Sequence, residues 1–335
     1  MSELQHEHST GTARAAWAAD APPPAQLRHV QCPGASKAGP HGAGDAQSHR
    51  MAYWDWPAAD DAGNAHLIVC VHGLTRNGRD FDVLAQRLRR KARVICPDVV
   101  GRGRSDWLAD AQGYQIPTYV GDMLALLTEL AQQAQAQGQP IARMDWVGTS
   151  MGGLIGLGLL TQPSLPLPLG RLVLNDVGPS IEWQALQRIG SYLGQPLRFA
   201  DLQQAADYLR RIAVGFGPHS EAQWLALSAP MLRGDGQGQL ALHYDPAIAQ
   251  PYQSFTQEAA SAGEQVLWGL YDALRLPTLL LRGAQSDLLS AATAQAMTQR
   301  GPQAQLVQFE GVGHAPTLVQ AEQVAVVEQF LLGEA

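Results

Sequence analysis

The sequence has few cysteines and no excess of basic residues. Its 335 residues include three cysteines, Cys32, Cys70 and Cys96. Three thiols cannot form a disulfide framework, and a cysteine within an apolar run behaves as a small hydrophobe. The 23 Lys and Arg residues are outnumbered by 30 Asp and Glu residues, which gives a net charge of −7. Because no basic stripe with interleaved aromatics occurs, nucleic acid is not expected as a partner.

Long hydrophobic runs are also missing. The longest, around residues 152–160 and 165–174, are too short or too interrupted by Gly and Pro to provide the roughly 20 apolar residues of a membrane span. The N-terminus lacks the basic and apolar regions of a secretory signal. Together with the low cysteine content, these absences predict a cytoplasmic protein with no membrane partner.

Residues 1–48 differ from the rest of the chain. They are rich in Ala, Pro, Gly, His and Gln and contain the breaker run Pro22-Pro23-Pro24. Such a composition buries too little apolar surface to offset chain entropy, so we expect a disordered low-complexity tail. Its histidines, from His6 to His49, are scattered without ligand spacing, and no metal site is expected.

From residue 49 onward, strand and helix patterns alternate. Continuous apolar, β-rich runs predict strands that are buried on both faces of a parallel sheet. Residues 178–274 interrupt this alternation with a helical pattern. We therefore predict an α/β class fold, with a doubly wound, mostly parallel sheet formed by residues 49–177 and 275–335 and a helical cap formed by residues 178–274. The predicted strands are a short one at Met51–Trp56, then Leu67–Val71, Arg93–Cys96, Arg143–Val147, Arg171–Asn175, Thr278–Arg282 and Gln305–Phe309.

The segment Gly148-Thr149-Ser150-Met151-Gly152 fits the G-x-S-x-G pattern of a nucleophile elbow. It stands between a predicted strand and an apolar helix, which is the context that the mechanism requires. Glycines on either side permit a sharp turn that exposes the serine hydroxyl. The alternative is the Gly-rich turn of a nucleotide-binding sheet, but the first βα unit carries no G-x-G-x-x-G fingerprint. Ser150 is therefore the predicted nucleophile.

A serine nucleophile needs a base and an acid that orients the base. His314 follows the last predicted strand in Gly311-Val312-Gly313-His314 and is the predicted base. Two aspartates follow predicted strands: Asp287, which we favour as the acid, and Asp176, which stays an alternative. The expected oxyanion donors are the backbone N–H groups of Met151 and Leu74.

These motifs, taken in order, resemble those of the α/β-hydrolase superfamily. They are His72-Gly73 after an early strand, Pro97–Ser105 in the next βα loop, the elbow at Ser150, then Asp287 and His314. The resemblance covers residues 51–335 and points to the branch of cap-bearing serine hydrolases that includes carboxylesterases, enol-lactonases and hydrolases of ring-cleavage products. It implies a triad of Ser150, Asp287 and His314, a helical cap over the pocket, and no cofactor. An acid at Asp176 matches the position used by certain dehalogenase-like relatives.

The predicted activity is hydrolysis of a small carboxylic ester, thioester or lactone through an acyl-enzyme. Two other hypotheses stay open. One is a C–C bond hydrolase of ring-cleavage products that uses the same triad. The other is a catalytically silent member of the fold that only binds a ligand. The sequence assigns no residue to substrate binding.

Overall fold

The computed structural model describes residues 25–34 and 48–333. The strands within these ranges are β1 (Gln26–Cys32), β2 (His49–Trp56), β3 (His66–Val71), β4 (Arg93–Pro97), β5 (Arg143–Thr149), β6 (Leu169–Asn175), β7 (Arg198–Phe199), β8 (Leu232–Gly234), β9 (Leu240–Leu242), β10 (Thr278–Gly283) and β11 (Gln305–Phe309). The helices are α1 (Asp82–Leu88), α2 (Ile116–Ala136), α3 (Met151–Leu160), α4 (Trp183–Tyr192), α5 (Leu202–Ile212), α6 (Glu221–Ser228), α7 (Ala249–Gln253), α8 (Gln257–Ala273), α9 (Ala291–Met297) and α10 (Ala321–Leu332).

Eight strands form one sheet in the order β1-β2-β4-β3-β5-β6-β10-β11. Within this sheet β4, β3, β5, β6, β10 and β11 are parallel to one another. β2 is antiparallel to both of its neighbours. The central strands are apolar along their whole length, as in β3, where five of six residues are buried. Burial on both faces is expected when helices cover both sides of a sheet. The observed architecture confirms the predicted doubly wound, mostly parallel sheet.

Parallel strands bring their carboxyl ends to one edge of the sheet, and this geometry positions the site. Five parallel strands follow one another in the sheet, so their carboxyl ends lie at this edge: β3, β5, β6, β10 and β11. The loops that follow them carry the residues singled out above. Ser150 follows β5, Asp176 follows β6 and His314 follows β11.

Residues between β6 and β10 form an insertion in the sheet topology. It contains α4 to α8, as the sequence predicts, and also a small sheet in the order β7-β9-β8 that the sequence analysis did not predict. The turn-rich run at residues 234–238 joins β8 to β9. These strands are two or three residues long and lack a periodic apolar pattern, so the sequence carries little signal for them.

The N-terminal tail requires a correction. The expectation of disorder through residue 48 is wrong for Gln26–Cys32, because this segment forms β1 and pairs along its whole length with β2. Only Val30 and Cys32 of this strand are buried, and their spacing of two is the single local sign of a strand. Pairing with β2 supplies the backbone hydrogen bonds that the composition does not indicate. Residues 1–24 and 35–47 of the predicted tail lie outside the described residues.

Within the described residues, none of the helices combines the length and the apolar character that crossing a bilayer requires.

Candidate active site

Ser150 occupies a sharp turn between β5 and α3. Its backbone has a φ of 51° and a ψ of −115°, a conformation that a non-glycine residue adopts only under constraint. The neighbouring glycines explain how the turn packs. A Cβ atom at Gly148 would lie 2.4 Å from the carbonyl oxygen of Gly152, and one at Gly152 would lie 2.0 Å from the carbonyl oxygen of Val71. The G-x-S-x-G spacing is therefore a steric requirement of this turn.

His314 contacts Ser150 and Asp176 through its two ring nitrogens. Its Nε2 lies 3.0 Å from Oγ of Ser150, and its Nδ1 lies 2.7 Å from Oδ2 of Asp176. Because an ionised carboxylate only accepts hydrogen bonds, Nδ1 carries the proton of the neutral ring. Nε2 then presents a lone pair to the serine hydroxyl. This is the tautomer that a general base for Ser150 needs.

Asp176 is fully buried at the end of β6, and three donors surround its carboxylate. The N–H of Gly283 donates to Oδ1 at 2.9 Å. The hydroxyl of Ser286 donates to Oδ2 at 2.6 Å, beside the bond from His314. A buried carboxylate requires such partners, because an unpaired buried charge costs on the order of several kcal/mol.

The expectation that Asp287 orients the base is wrong in this structure. The side chain of Asp287 is 48% exposed and pairs with Arg188 of the insertion, with Nε–Oδ2 and Nη2–Oδ1 distances of 2.7 and 3.0 Å. The residue of this loop that reaches the site is the preceding Ser286, which contacts Asp176. The alternative acid, Asp176, is the carboxylate that His314 contacts.

The loop after β3 runs alongside Ser150. A Cβ atom at Gly73 would lie 3.7 Å from the Cβ of Ser150. His72 holds this loop in place, because its Nδ1–H donates to the carbonyl of Gly73 at 2.7 Å and its Nε2 accepts from the N–H of Val99 at 2.9 Å. Complete burial lowers the pKa of His72 to about 3, so the ring stays neutral.

Arg102 contacts both residues expected to provide oxyanion donors. Its guanidinium is fully buried, with Nε 2.8 Å from the carbonyl oxygen of Leu74 and Nη2 3.6 Å from the sulfur of Met151. Nη1 donates to the carbonyl of Val100 and the hydroxyl of Tyr119, at 2.7 and 3.0 Å. Sequence reasoning assigned no role to Arg102. The only sequence feature that could have drawn attention to this residue is the motif Pro97–Ser105, which contains it.

Asn175 links the elbow to the histidine loop. Its buried amide donates to Oγ1 of Thr149 at 3.0 Å and to the carbonyl of Pro316 at 2.8 Å. The backbone carbonyl of Asn175 accepts a hydrogen bond from the N–H of Ser150 at 3.0 Å. The residue thus ties the segments that carry the serine and the histidine to the strand that carries Asp176. Sequence reasoning did not find this role, because the contacts join segments far apart in the chain.

The insertion closes on the same edge of the sheet. The N–H of Gly313 donates to the carbonyl of Gly215 at 2.6 Å, beside His314. Across the site, Arg76 donates to the carbonyl of Leu227 and Asn77 to that of Pro230. The insertion therefore contacts both the histidine loop and the loop after β3.

The fold and the Ser–His–Asp arrangement define a class, the hydrolases built on a parallel sheet with a nucleophile elbow. Residues 68–327 match the sequence profile of the Alpha/beta hydrolase family, and the chain belongs to this family. The match confirms the resemblance noted in the sequence.

Individual relatives agree with this assignment. The chain is 46% identical over 288 residues to a 3-hydroxybutyrate-oligomer hydrolase of Cupriavidus necator, a match that covers 85% of this chain and 94% of the relative. A putative hydrolase from Rickettsia typhi superposes with a TM-score of 0.78 at 28% identity, over 92% of this chain and all of the other. An alpha/beta hydrolase from Novosphingobium aromaticivorans gives 0.73 at 33% identity, over 92% and 99%. The predicted enzyme class, a carboxylic ester hydrolase, is confirmed.

Proposed function

We propose that the protein hydrolyses the ester bonds of short 3-hydroxybutyrate oligomers, with Ser150 as nucleophile, His314 as base and Asp176 as the acid that orients it. The observation that carries the catalytic part is the unbroken chain of hydrogen bonds from Oγ of Ser150 through His314 to the buried carboxylate of Asp176. The substrate class is supported by the 46% identity to a hydrolase of such oligomers across nearly the whole relative.

The chemistry follows from this geometry. Nε2 of His314 takes the hydroxyl proton as Ser150 attacks the ester carbonyl, and the imidazolium that forms is stabilised by Asp176. The proton then passes to the leaving alcohol, which gives an acyl-enzyme. Water, activated by the same ring, releases the acid and restores the serine.

The oxyanion donors in this proposal are the backbone N–H groups of Met151 and Leu74. Met151 is the first residue of α3, so its N–H has no intrahelical acceptor, and it lies where the helix dipole favours negative charge. On the opposite side, the carbonyls of Gly73 and Leu74 are held by His72 and Arg102. With its carbonyls bound away from the nucleophile, this loop can present an N–H to the developing oxyanion.

The insertion serves as the cap in this proposal. Its Gly215 contacts the histidine loop at Gly313, and its Leu227 contacts the loop after β3 at Arg76. The insertion is therefore attached to two of the loops that carry the site. Closure by the cap excludes water and strengthens the electrostatic interactions at the carbonyl.

The direct test is turnover by the purified full chain. We expect the dimer and trimer of 3-hydroxybutyrate to be converted to monomer, measured by chromatography, and Ser150→Ala to abolish the reaction. Ser254→Ala, at an exposed serine of the insertion, is the matched control and should retain activity. A fluorophosphonate should label the wild type and the control but not Ser150→Ala.

The same assays separate the two rival activities. Turnover of a coloured ring-cleavage product without turnover of oligomers or p-nitrophenyl esters would favour the C–C bond hydrolase. Absence of stoichiometric labelling and of turnover would favour a ligand-binding protein. Hydrolysis of simple esters without hydrolysis of the oligomers would retain the triad but reject the substrate class.

A further inference from the structure

Three side chains capable of binding a metal meet away from the triad, on β1, β2 and α2. Cys32 and His49 are direct partners in the antiparallel pair of β1 and β2, so their side chains project from the same face of the sheet. Helix α2 packs on that face and contributes Asp122. The sulfur, a ring nitrogen and a carboxylate oxygen all lie within 4.8 Å of one another.

The three residues are removed from solvent. Their relative exposures are 1% for Cys32, 5% for His49 and 0% for Asp122. Nε2 of His49 lies 3.0 Å from Oδ2 of Asp122, and the sulfur of Cys32 lies 3.9 Å from the backbone carbonyl oxygen of Asp122. Such polar groups lose their hydration on burial and must be satisfied inside the protein.

Hydrogen bonds among the described residues leave two atoms of this cluster unsatisfied. Within residues 25–34 and 48–333, Nδ1 of His49 and Oδ1 of Asp122 are both buried and have no hydrogen-bond partner. Because the carboxylate accepts the bond from Nε2–H, Nδ1 of the neutral ring carries an unshared lone pair. Each of these two atoms therefore has a lone pair that no hydrogen bond uses. Unmet groups of this kind indicate a missing ion or donor.

We propose that Cys32, His49 and Asp122 bind a zinc ion. Thiolate, imidazole and carboxylate are the ligands that zinc uses in proteins, at about 2.0–2.3 Å. Around a tetrahedral ion with those bonds, ligand atoms are roughly 3.3–3.8 Å apart. Nε2 of His49 and Oδ2 of Asp122 lie 3.0 Å apart and would both face the ion once Nε2 releases its proton, and the sulfur, a ring nitrogen and a carboxylate oxygen lie within 4.8 Å of one another. A thiolate and a carboxylate carry two negative charges, which a divalent cation offsets. The three side chains fill three positions of the tetrahedron and leave one for a further ligand.

The position of the cluster indicates a structural role for the ion. β1 is the edge strand of the sheet, and most of its residues are exposed. Cys32 is the last residue of β1, where the strand meets α2. An ion held by β1, β2 and α2 would fasten this edge strand to the core, because binding free energy at a site assembled only by folding adds to folding stability.

Metal content of the full chain and cobalt spectroscopy test the site. We expect the purified protein to retain zinc at about one ion per chain, as in other structural sites. Replacement of zinc by Co²⁺ should produce a thiolate-to-cobalt charge-transfer band. This band reports a sulfur ligand, so metal bound by the N-terminal histidines alone cannot produce it.

The variants form a matched set. Cys32→Ser should abolish the charge-transfer band, whereas Cys96→Ser, at a buried cysteine outside the cluster, should retain it. His49→Gln and Asp122→Asn should weaken cobalt binding, although both variants keep the thiol of Cys32 as a ligand. Circular dichroism identifies any variant that fails to fold.

Two results overturn the proposal. One is a folded wild-type chain that gives no thiolate–cobalt band, and this result does not depend on the variants. The other is a band that survives both Cys32→Ser and His49→Gln. As a second measurement on the wild type, a chelator should lower the melting temperature, and added zinc should restore it. An unchanged melting temperature in metal-free protein would contradict the fastening role.

Discussion

Nδ1 of His314 lies 2.7 Å from Oδ2 of Asp176, and this contact connects the last strand of the sheet with the strand next but one in the sheet order. Asp176 takes a φ of 55° and is completely buried, so its carboxylate has a single orientation, fixed by Gly283 and Ser286. His314 is thereby held in one tautomer with Nε2 directed at Ser150. Replacing the charged carboxylate of Asp176 with the neutral amide of Asn tests whether this orientation of His314 matters for catalysis.

Asp176→Asn should lower kcat by about 10⁴-fold, because an amide that donates to Nδ1 would favour the wrong tautomer of His314. The matched control is Asp287→Asn, at an exposed aspartate in the loop after β10. Its ion pair with Arg188 is worth about 0–1 kcal/mol, so kcat should change by less than about fivefold. Steady-state kinetics on one ester substrate measure both variants.

The opposite ranking would restore Asp287 as the orienting acid. A loss of kcat in both variants would indicate that the loop after β10 moves to bring Asp287 to His314 during turnover. Retained activity in Asp176→Asn would contradict the role assigned to the buried carboxylate.

Gly152→Ala should destabilise the elbow. Its Cβ would lie 2.0 Å from the carbonyl oxygen of Val71, and a backbone oxygen cannot move away without displacing β3. We expect a loss of at least about 2 kcal/mol in the free energy of unfolding, as for other overpacked sites. Gly121→Ala in α2 is the control, since nothing lies within 4 Å of its Cβ position, and it should stabilise the protein by about 0.5–1 kcal/mol. Denaturant unfolding that ranked the two variants equally would contradict the steric account.

His72 should contribute to acid sensitivity. Burial lowers its folded-state pKa to about 3, whereas in the unfolded chain it takes up a proton near 6.5. Its contribution to stability is therefore complete above pH 6.5 and is lost as the pH falls towards 3, by about 1.4 kcal/mol per pH unit. His72→Asn keeps an N–H for the carbonyl of Gly73 but does not titrate. The slope of unfolding free energy against pH should decrease in this variant by the equivalent of one proton.

The control for this titration is His29→Asn, at an exposed histidine of β1. Its slope should match that of the wild type. If His72→Asn and the wild type lose stability in parallel between pH 6 and 4, His72 is not the group that resists protonation.

Ser150 and His314 could be proposed as site residues from the sequence because their signals are local. Gly148 and Gly152 flank Ser150 at the spacing that one turn requires, and Gly311 and Gly313 stand shortly before His314. The acid could not be chosen in this way. Asp176 and Asp287 both follow strands of the same sheet, and what distinguishes them is the direction of each side chain. That direction depends on Gly283, Ser286 and Arg188, whose contacts exist only in the folded chain.

The overall sheet was predictable for a related reason. Buried strands such as β3 are continuous apolar runs, and this pattern is independent of their neighbours. In β1 the burial of only Val30 and Cys32 leaves a weak pattern, so the strand depends on pairing with β2. Arg102 was missed because a buried arginine is recognised by its acceptors, and its acceptors at Leu74 and Val100 are backbone carbonyls that carry no sequence signal.

Arg102 should act as a positioning residue for the oxyanion loop. Its side chain holds the carbonyl of Leu74 and lies against the side chain of Met151, so its removal should release the loop rather than prevent substrate binding. Arg102→Met should lower kcat by about 10–100-fold with little change in KM, as expected when a transition-state interaction is weakened. Arg89→Met is the matched control, because Arg89 is also buried and also donates to a backbone carbonyl, that of Pro57, but not at the active site. Both substitutions leave buried acceptors unpaired and should each cost about 1–3 kcal/mol of stability per lost partner. At a temperature where both variants are folded, only Arg102→Met should change kcat. Equal effects of the two substitutions on kcat would show that Arg102 contributes to stability and does not position the oxyanion loop.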